Sequence, residues 1–409
     1  MPTAIDVTFN GMNNRLTDER IPAGTARNAV NVMFGDSGEI FFPRLGKQVQ
    51  YSGNCSSLHQ TALGYHFVEG GVLKLLKLDN TVTILRSGMG TSRVFYTSVG
   101  ATTYFANQQA TGRIDGMVCS EWGCAVPPRQ PDITASNGGG LFAGDYCIAI
   151  TWWGTTEESG ALTSTFTRTS VASLGGSLIL SNFPKPPSYV TQVGVYVTSV
   201  NGNELYLYGL YPSTVQSVTI IDTINATPLV TQFGIPPQAK GKIISHMGRM
   251  YYADGNLVRK TEPFRYGLEM ALNYWPFDSD VQVIASCPPM LYINTLTTLY
   301  QVSNIDAIDG SPPKVSTLQK GGAVPCSEVT NPEDGTVYFL SDKGIVNCTP
   351  QGVTLVTYNN NAIPFFKEGD ATIVEFNGSK SLIFMGSNGT QNPLANTQFN
   401  VEELARNTL

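Results

Sequence analysis

Along most of the chain, apolar and polar positions alternate with a period of two. This is the pattern of strands with one face on a core. Six segments repeat one motif, in which an apolar and aromatic strand, a tight polar turn and a second strand follow one another. They read GYHFVEGGVLKLLKL (64–78), TTYFANQQATGRIDG (102–116), GRMYYADGNLVRK (248–260), MLYINTLTTLYQV (290–302), GTVYFLSDKGIVNC (335–348) and KSLIFMGSNG (380–389). Tyr65, Tyr104, Tyr252, Tyr292, Tyr338 and Phe384 take matching places in them, at steps of 39, 148, 40, 46 and 46 residues.

The long step contains residues 131–236, which differ in character. Removing those 106 residues leaves a step of 42. A period of 40–50 residues with several short strands per unit is the signature of a β-propeller. Six blades are predicted. A seventh would be completed by an N-terminal hairpin at 30–42 pairing with the C-terminal region.

The interposed residues read as a β-sandwich of the fibronectin type III kind. AGDYCIAITWWGTTEESGALTS (143–164), GGSLILSNF (175–183), VTQVGVYVTSVNGNELYLYGLY (190–211) and SVTIIDT (217–223) supply alternating strands. Asn201-Gly202 is a hairpin turn signal. Val193, Val195 and Val197 point to one face, with Gln192, Gly194 and Tyr196 on the other. PPRQPD (127–132) and IPPQAKG (235–241) read as linkers. The predicted fold is thus all-β: a six- or seven-bladed propeller interrupted by a fibronectin-like sandwich. Its parts are an arm (1–29), propeller (30–130), sandwich (131–236), propeller (237–396) and tail (397–409). Only the last residues, NVEELARNTL, have a helical look.

Composition narrows the function. The chain has 409 residues, 42% of them hydrophobic and only 14% charged, with 41 Gly and 24 Pro. Such low charge suits a turn-rich β protein or a surface buried in an assembly. The net charge of −6 disfavours a protein that grips phosphates with Lys and Arg. It suits a wall that DNA passes without adhering. The seven cysteines are scattered, and only Cys119 and Cys124 lie close, without the further ligands zinc needs. The reading favours reduced cysteines over a disulfide across that loop. MPTAIDVTF has no basic flank or apolar core, and no run reaches the length of a membrane span, so neither a signal peptide nor an anchor is expected.

Candidate chemistry is thin. Gly35-Asp36-Ser37-Gly38 matches the tetrapeptide around a chymotrypsin-like serine, but His59, His66 and His246 all follow it and position 39 is Glu. The tetrapeptide reads as the turn between VNVMF and EIFF. Paired carboxylates that a glycosidase would need about 5–9.5 Å apart occur as Glu157 and Glu158, Asp278 and Asp280, Asp306 and Asp309, and Glu333 and Asp334. In turns, such pairs read as solvated. SDKG (341–344) lacks the aromatic of a sialidase Asp-box and reads as a turn. Trp122, Trp152, Trp153 and Trp275 are candidates for stacking on a sugar, with one ring of Trp152-Trp153 facing the core and the other solvent. NGGGLFAG (137–144) is glycine-rich but lies in a linker before a strand, without a phosphate-cradling helix. No catalytic, cofactor-binding or metal-binding residue is assigned.

A resemblance adds to this. FNGMNNRLTDERIPAGTARNAVNVMFGDSGEIFFPRLGK (9–47) resembles the start of tailed-bacteriophage virion proteins, through Gly11 to Asn14, Ala26 to Val32 and Arg44 to Gly46. GRMYYADGNLVRKTEPFRYGL (248–268) resembles their propeller part. Such proteins form tail nozzles or DNA-stabilising plugs in short-tailed phages, and tail-tip or neck parts in long-tailed ones. The resemblance implies a non-enzymatic tail component that is folded in the host cytoplasm and forms a cyclic homo-oligomer, six-fold or, second, three-fold. Its partners would be other tail or neck proteins, tail fibres and passing DNA, with no cofactor. A receptor- or glycan-binding tail protein is the alternative, and a propeller glycosidase a more distant one.

Overall fold

The computed structural model describes residues 16–22, 25, 32–34, 41–43, 51–154, 157–161, 168–223, 227–305, 312–356, 366–376, 379–387 and 394–400. Apart from one 3₁₀ turn at Asp18–Arg20, the regular structure of these residues is entirely β. Two compact units emerge. The first comprises residues 56–252 and 259–275; the second comprises 253–258 and the described residues up to 55 and from 276 on.

The earliest strands are β1 (Val32–Phe34) and β2 (Phe41–Pro43), an antiparallel pair with Phe34 opposite Phe41. The Ser37 turn of that hairpin lies outside the described residues. Next come β3 (Cys55–Thr61), β4 (Gly64–Glu69), β5 (Val72–Lys77) and β6 (Val82–Ser87), neighbours in that order in one sheet. Gly70 and Gly71, both at positive φ, close the β4–β5 hairpin. β7 (Phe95–Val99), β8 (Thr102–Ala106), β9 (Thr111–Asp115) and β10 (Val118–Ser120) form a second up-and-down sheet. Val68 and Leu73 of one sheet pack with Phe105 and Ile114 of the other. Each such side chain contributes roughly 1.5–3 kcal/mol on burial.

Seven strands follow: β11 (Asp132–Leu141), β12 (Gly144–Trp153), β13 (Arg168–Val171), β14 (Gly176–Ser181), β15 (Gln192–Thr198), β16 (Leu205–Pro212) and β17 (Ser217–Ile220). They make two sheets, β11-β14-β17 and β13-β12-β15-β16. The sheets share one core, in which Leu178, Leu180 and Ile220 meet Ile148, Ile150 and Val195. Val193, Val195 and Val197 face that core as the alternation predicts. Tyr196, on the opposite face, is also buried, against Ala149, Leu205 and Leu229. This strand is covered on both sides, which accounts for its nearly unbroken apolar run.

β18 (Gly234–Ile235) leads into β19 (Ile243–His246), β20 (Arg249–Asp254), β21 (Leu257–Lys260), β22 (Glu269–Met270) and β23 (Tyr274–Pro276). β18 pairs with β22, and β19-β20-β21-β23 form a four-stranded sheet. Tyr104 and Ala106 of β8 share a core with Met250 and Tyr252 of β20, and Ser245 N donates to Thr97 Oγ1 at 3.2 Å. The sheets on either side of the seven-stranded segment in sequence are therefore neighbours in space.

In the second unit β24 (Val281–Cys287), β25 (Met290–Thr295), β26 (Thr298–Ser303) and β27 (Lys314–Lys320) form one four-stranded sheet. β28 (Val329–Thr330), β29 (Val337–Ser341), β30 (Gly344–Thr349) and β31 (Gly352–Leu355) form another. β32 (Glu368–Phe376), β33 (Ser379–Ser387) and β34 (Leu394–Asn400) make a three-stranded sheet. Val283 and Tyr292 pack with Phe339 and Val346, and Tyr338 and Leu340 pack with Leu382 and Phe384, so each sheet is packed on the next.

Three expectations are corrected. Tyr65 is exposed, whereas Tyr104, Tyr252, Tyr292, Tyr338 and Phe384 are buried. The pleat puts Tyr65 and Phe67 on the face opposite His66 and Val68; Phe67 is covered on that face, and Tyr65, one residue from the start of the strand, is not. Asn137 to Leu141 form part of a strand rather than a linker, with a register shift against β14 between Asn137 and Leu141. Glycine is needed there because a Cβ on Gly139 would lie 2.3 Å from Gly176 O. Asn400 ends β34, so the proposed C-terminal helix does not begin at that residue; residues 401–409 lie outside the described set. Among the described residues no ladder joins the β1–β2 hairpin to β32–β34.

Candidate functional site

Each group singled out in the sequence has a definite place. His59 on β3 and His66 on β4 stand with their ring centroids 6.3 Å apart, and His59 stacks on Tyr96 at 5.1 Å. His59 Nε2 meets Ser98 Oγ at 3.1 Å, while both nitrogens of buried His66 have no hydrogen-bond partner among the described residues. Burial pushes both pKa values down to about 4, helped at His59 by the charges of His66 and Lys242. Near neutral pH both rings are uncharged. His246 is buried and meets the ring of Tyr251 edge-on, with centroids 5.9 Å apart.

The carboxylate pairs separate. Glu157 is not solvated: burial raises its pKa, opposed by the backbone N–H of Gly267 and by Arg113 and Arg265. Its Oε1 accepts from Gly267 N at 3.0 Å, and Oε2 is buried. A Cβ on Gly267 would sit 1.7 Å from Oε2, so only glycine admits this carboxylate. Glu158 accepts from Thr151 Oγ1 at 2.8 Å and Tyr196 Oη at 2.5 Å, and burial likewise raises its pKa. The two accept hydrogen bonds from different groups, while the charge of Arg265 acts on both. The expectation of a solvated pair is thus corrected: Glu157 and Glu158 are half-buried, one held by the Gly267 N–H and the other by the Thr151 and Tyr196 hydroxyls.

Asp278 accepts from Thr295, Thr297 and Thr298 hydroxyls at 2.8–2.9 Å. These bonds hold its carboxyl below the usual range despite the opposing desolvation. Its role is to fasten the β25–β26 turn. Asp280 instead offers its backbone carbonyl to Leu296 N. Asp334 accepts from both the N–H and the hydroxyl of Thr336, forming a side-chain turn. Asp306 and Asp309 lie outside the described residues. SDKG closes β29–β30, with Ser341 Oγ donating to Gly344 O.

Two of the four tryptophans are structural. Trp122 is buried between Tyr104 and Tyr252 and donates Nε1–H to Tyr266 O at 2.7 Å. Trp152 belongs to the sandwich core. This removes both as sugar platforms. Trp153 is half-buried, and Trp275 stacks on Tyr251 with Lys260 Nζ 4.8 Å from its ring centre. None of the cysteines is in a disulfide, and Cys124 Sγ donates to Trp152 O. Among the described residues no cluster of three or more His, Cys, Asp or Glu could hold a metal. A shallow groove between β26, β27 and β31, lined by Leu299, Gln301, Leu318, Gln319 and the 351–353 turn, carries no titratable side chain.

No protein-family model and no curated protein matches the chain. Among solved structures it is similar to virginiamycin B lyase from Staphylococcus aureus, at 11% identity and a TM-score of 0.31, over 81% of this chain and 90% of that one. A likeness this distant carries no argument about activity.

What the first unit presents instead is apolar side chain on turns. Phe142, Leu174 and Ile221 are exposed at one end of the sandwich, and Met247 and Phe264 beside the β19–β20 hairpin. Sequence reading missed both groups. The signal available was Met247-Gly248 standing where Asn-Gly is usual between two strands. No helix among the described residues is long and apolar enough to cross a membrane.

Proposed function

We propose that this chain is a non-enzymatic structural component of a bacteriophage tail, at the nozzle, tip or neck. Copies form a closed ring around the DNA channel, retain packaged DNA and offer docking surface for fibres. The observation that carries the reading is the serial arrangement: up-and-down sheets in chain order, interrupted once by a seven-stranded sandwich between two sheets that pack together. That arrangement fits the architecture implied by the resemblance at 9–47 and 248–268. In this reading the sheets are the blades of a six- or seven-bladed propeller and the sandwich is a fibronectin-like insert. A rigid multi-sheet body suits a load-bearing ring subunit, and a net charge of −6 lets DNA pass. The particle is the place of work, with folding in the host cytoplasm.

The test is gold labelling of phage particles with an antibody against this chain, viewed by electron microscopy. Label at the neck or tail end is expected, and its position separates connector from tip. Particles without label, with the antigen free in the lysate, would overturn the reading.

A further inference from the structure

Two surfaces of the first unit expose large apolar side chains on firmly held backbone. At the sandwich end, the β11–β12 turn carries Phe142, the β13–β14 turn Leu174, and the chain leaving β17 Ile221, which are 63%, 70% and 47% exposed. The three segments are tied together. Gly140 N donates to Ile221 O at 2.6 Å, Gly139 N to Gly175 O at 2.9 Å and Gly175 N to Leu141 O at 3.0 Å. The β15–β16 turn reaches the same end, because Asn201 Oδ1 accepts from Asp145 N at 2.9 Å. Asp145, Glu204 and Asp222 lie on these segments, against one cation, Arg168, which donates to Asn203. The end is thus an apolar trio with an acidic rim.

The second surface is the β19–β20 turn. Met247 has φ +45° and Phe264 φ +55°, a conformation that costs a bulky L-residue about 1–2 kcal/mol. Phe264 N donates to Gly248 O at 2.7 Å, and the Phe264 ring lies over Gly248, where a Cβ would come within 2.8 Å of it. Yet Met247 is 47% and Phe264 78% exposed, so burial within the chain does not offset the strain. Residues 240–265 carry six Lys and Arg against two Asp and Glu, in a chain of net charge −6; the remainder therefore carries −10. Arg249 donates to Thr261 O, Arg259 lies over Tyr274 and Lys260 over Trp275. Folded onto the sheet in this way, they charge the surface without fanning out to track a phosphate backbone.

We propose that these surfaces are the two halves of one head-to-tail contact between copies of this chain. The acid-rimmed tip of one protomer docks on the basic, Phe264-bearing turn of the next. The charges are complementary, and the acidic remainder of the chain makes a second copy the fitting occupant. Two different patches on one chain are also what a closed ring requires, since only a heterologous contact propagates around it. The preorganised glycine turns reduce the ordering cost of docking. This inference rests on the ring-forming part of the function proposed above.

The experiment uses the purified full-length chain in native mass spectrometry, with a tip variant (Phe142→Ser with Leu174→Ser) and a turn variant (Met247→Ser with Phe264→Ser). Wild type is expected to form oligomers and each variant alone to stay monomeric. Mixing the two variants should give a 1:1 heterodimer and nothing larger, because one intact contact remains. If circular dichroism shows the turn variant unfolded, Arg265→Glu replaces it, with association about tenfold weaker and recovered against Asp222→Lys in the other protomer. A monomeric wild type at its highest soluble concentration overturns the contact. So do variants that associate as wild type does, or folded variants that fail to pair. Loss of single-stranded DNA binding in the turn variant with unchanged assembly would assign that surface to nucleic acid and also overturn it. Label on particles with a monomeric wild type defeats this contact alone; rings without label defeat the tail reading alone.

Discussion

The hairpin turns at Asn201 and at Met247 each place one non-glycine residue in left-handed backbone, and they fill that position with different residues. Asn201 has φ +57° and is followed by Gly202, whose N–H donates to Ser199 O at 2.9 Å. Asparagine tolerates this left-handed backbone, and here its side chain also receives Asp145 N–H. Met247 has φ +45° and is followed by Gly248 at φ +77°. Methionine gains nothing from that backbone and leaves much of its side chain in solvent. The first turn is filled by a residue that serves the fold. The second is filled by one that works against it, which is what a surface shaped for something outside the chain looks like.

The largest effect should come from breaking the second turn. Gly248→Val adds a β-branched residue at positive φ and drives it into the Phe264 ring. A loss of roughly 3 kcal/mol is expected in denaturant unfolding. A loss under about 0.5 kcal/mol would mean that the turn does not have this geometry.

A second position chosen against the fold is His66, and it should answer to acid. The folded pKa values of His59 and His66 are about 4, below the ordinary 6.5. The unfolded chain therefore binds more protons between these limits. The stability due to the pair is complete above pH 6.5 and is lost as pH falls toward 4. Glu157 and Glu158, with raised pKa values, pull the other way, so a variant is needed to isolate the share of His66. Thermal unfolding of His66→Phe should lose about half of the decline that wild type shows across this range, because burial still holds the His59 pKa down; an unchanged slope would discard the assignment.

These positions also mark how far the sequence could be read. The hairpins at 64–78, 102–116, 248–260, 290–302 and 335–348 were legible because alternation and turn residues agree. Alternation likewise assigned the inward face of Val193, Val195 and Val197. Tyr65 misled because its spacing matched while its place near the start of its strand leaves it uncovered, although Phe67 on the same face is buried; what covers a side chain comes from neighbouring strands and not from its spacing. Gly138 to Gly140 misled because glycine has no strand signature, although close strand contact is why glycine is there. Burial of Glu157 could not be seen, since its partner Gly267 is 110 residues away and contributes only a backbone N–H. The surface at Met247 and Phe264 carried one visible trace, a methionine before the turn glycine. Its meaning depends on φ and exposure, which no pattern of residue types contains.

Asn201→Ala should cost about 1 kcal/mol, the sum of a strained alanine and a lost cap on Asp145 N–H, read as a lower unfolding midpoint with association unchanged. The reverse substitution has the smallest effect on stability and decides most. Met247→Asn places at the second turn the residue type that the first turn uses. Relief of the left-handed strain should stabilise the folded chain by about 0.5–1 kcal/mol. If the methionine serves only the fold, nothing else should change. If it serves the contact between copies, association should weaken as the melting temperature rises, the two moving in opposite directions. The measurement is a melting curve and a sedimentation profile on the same sample. A rise in stability with association intact would place the contact on Phe264 alone and reduce Met247 to an unrelieved local strain.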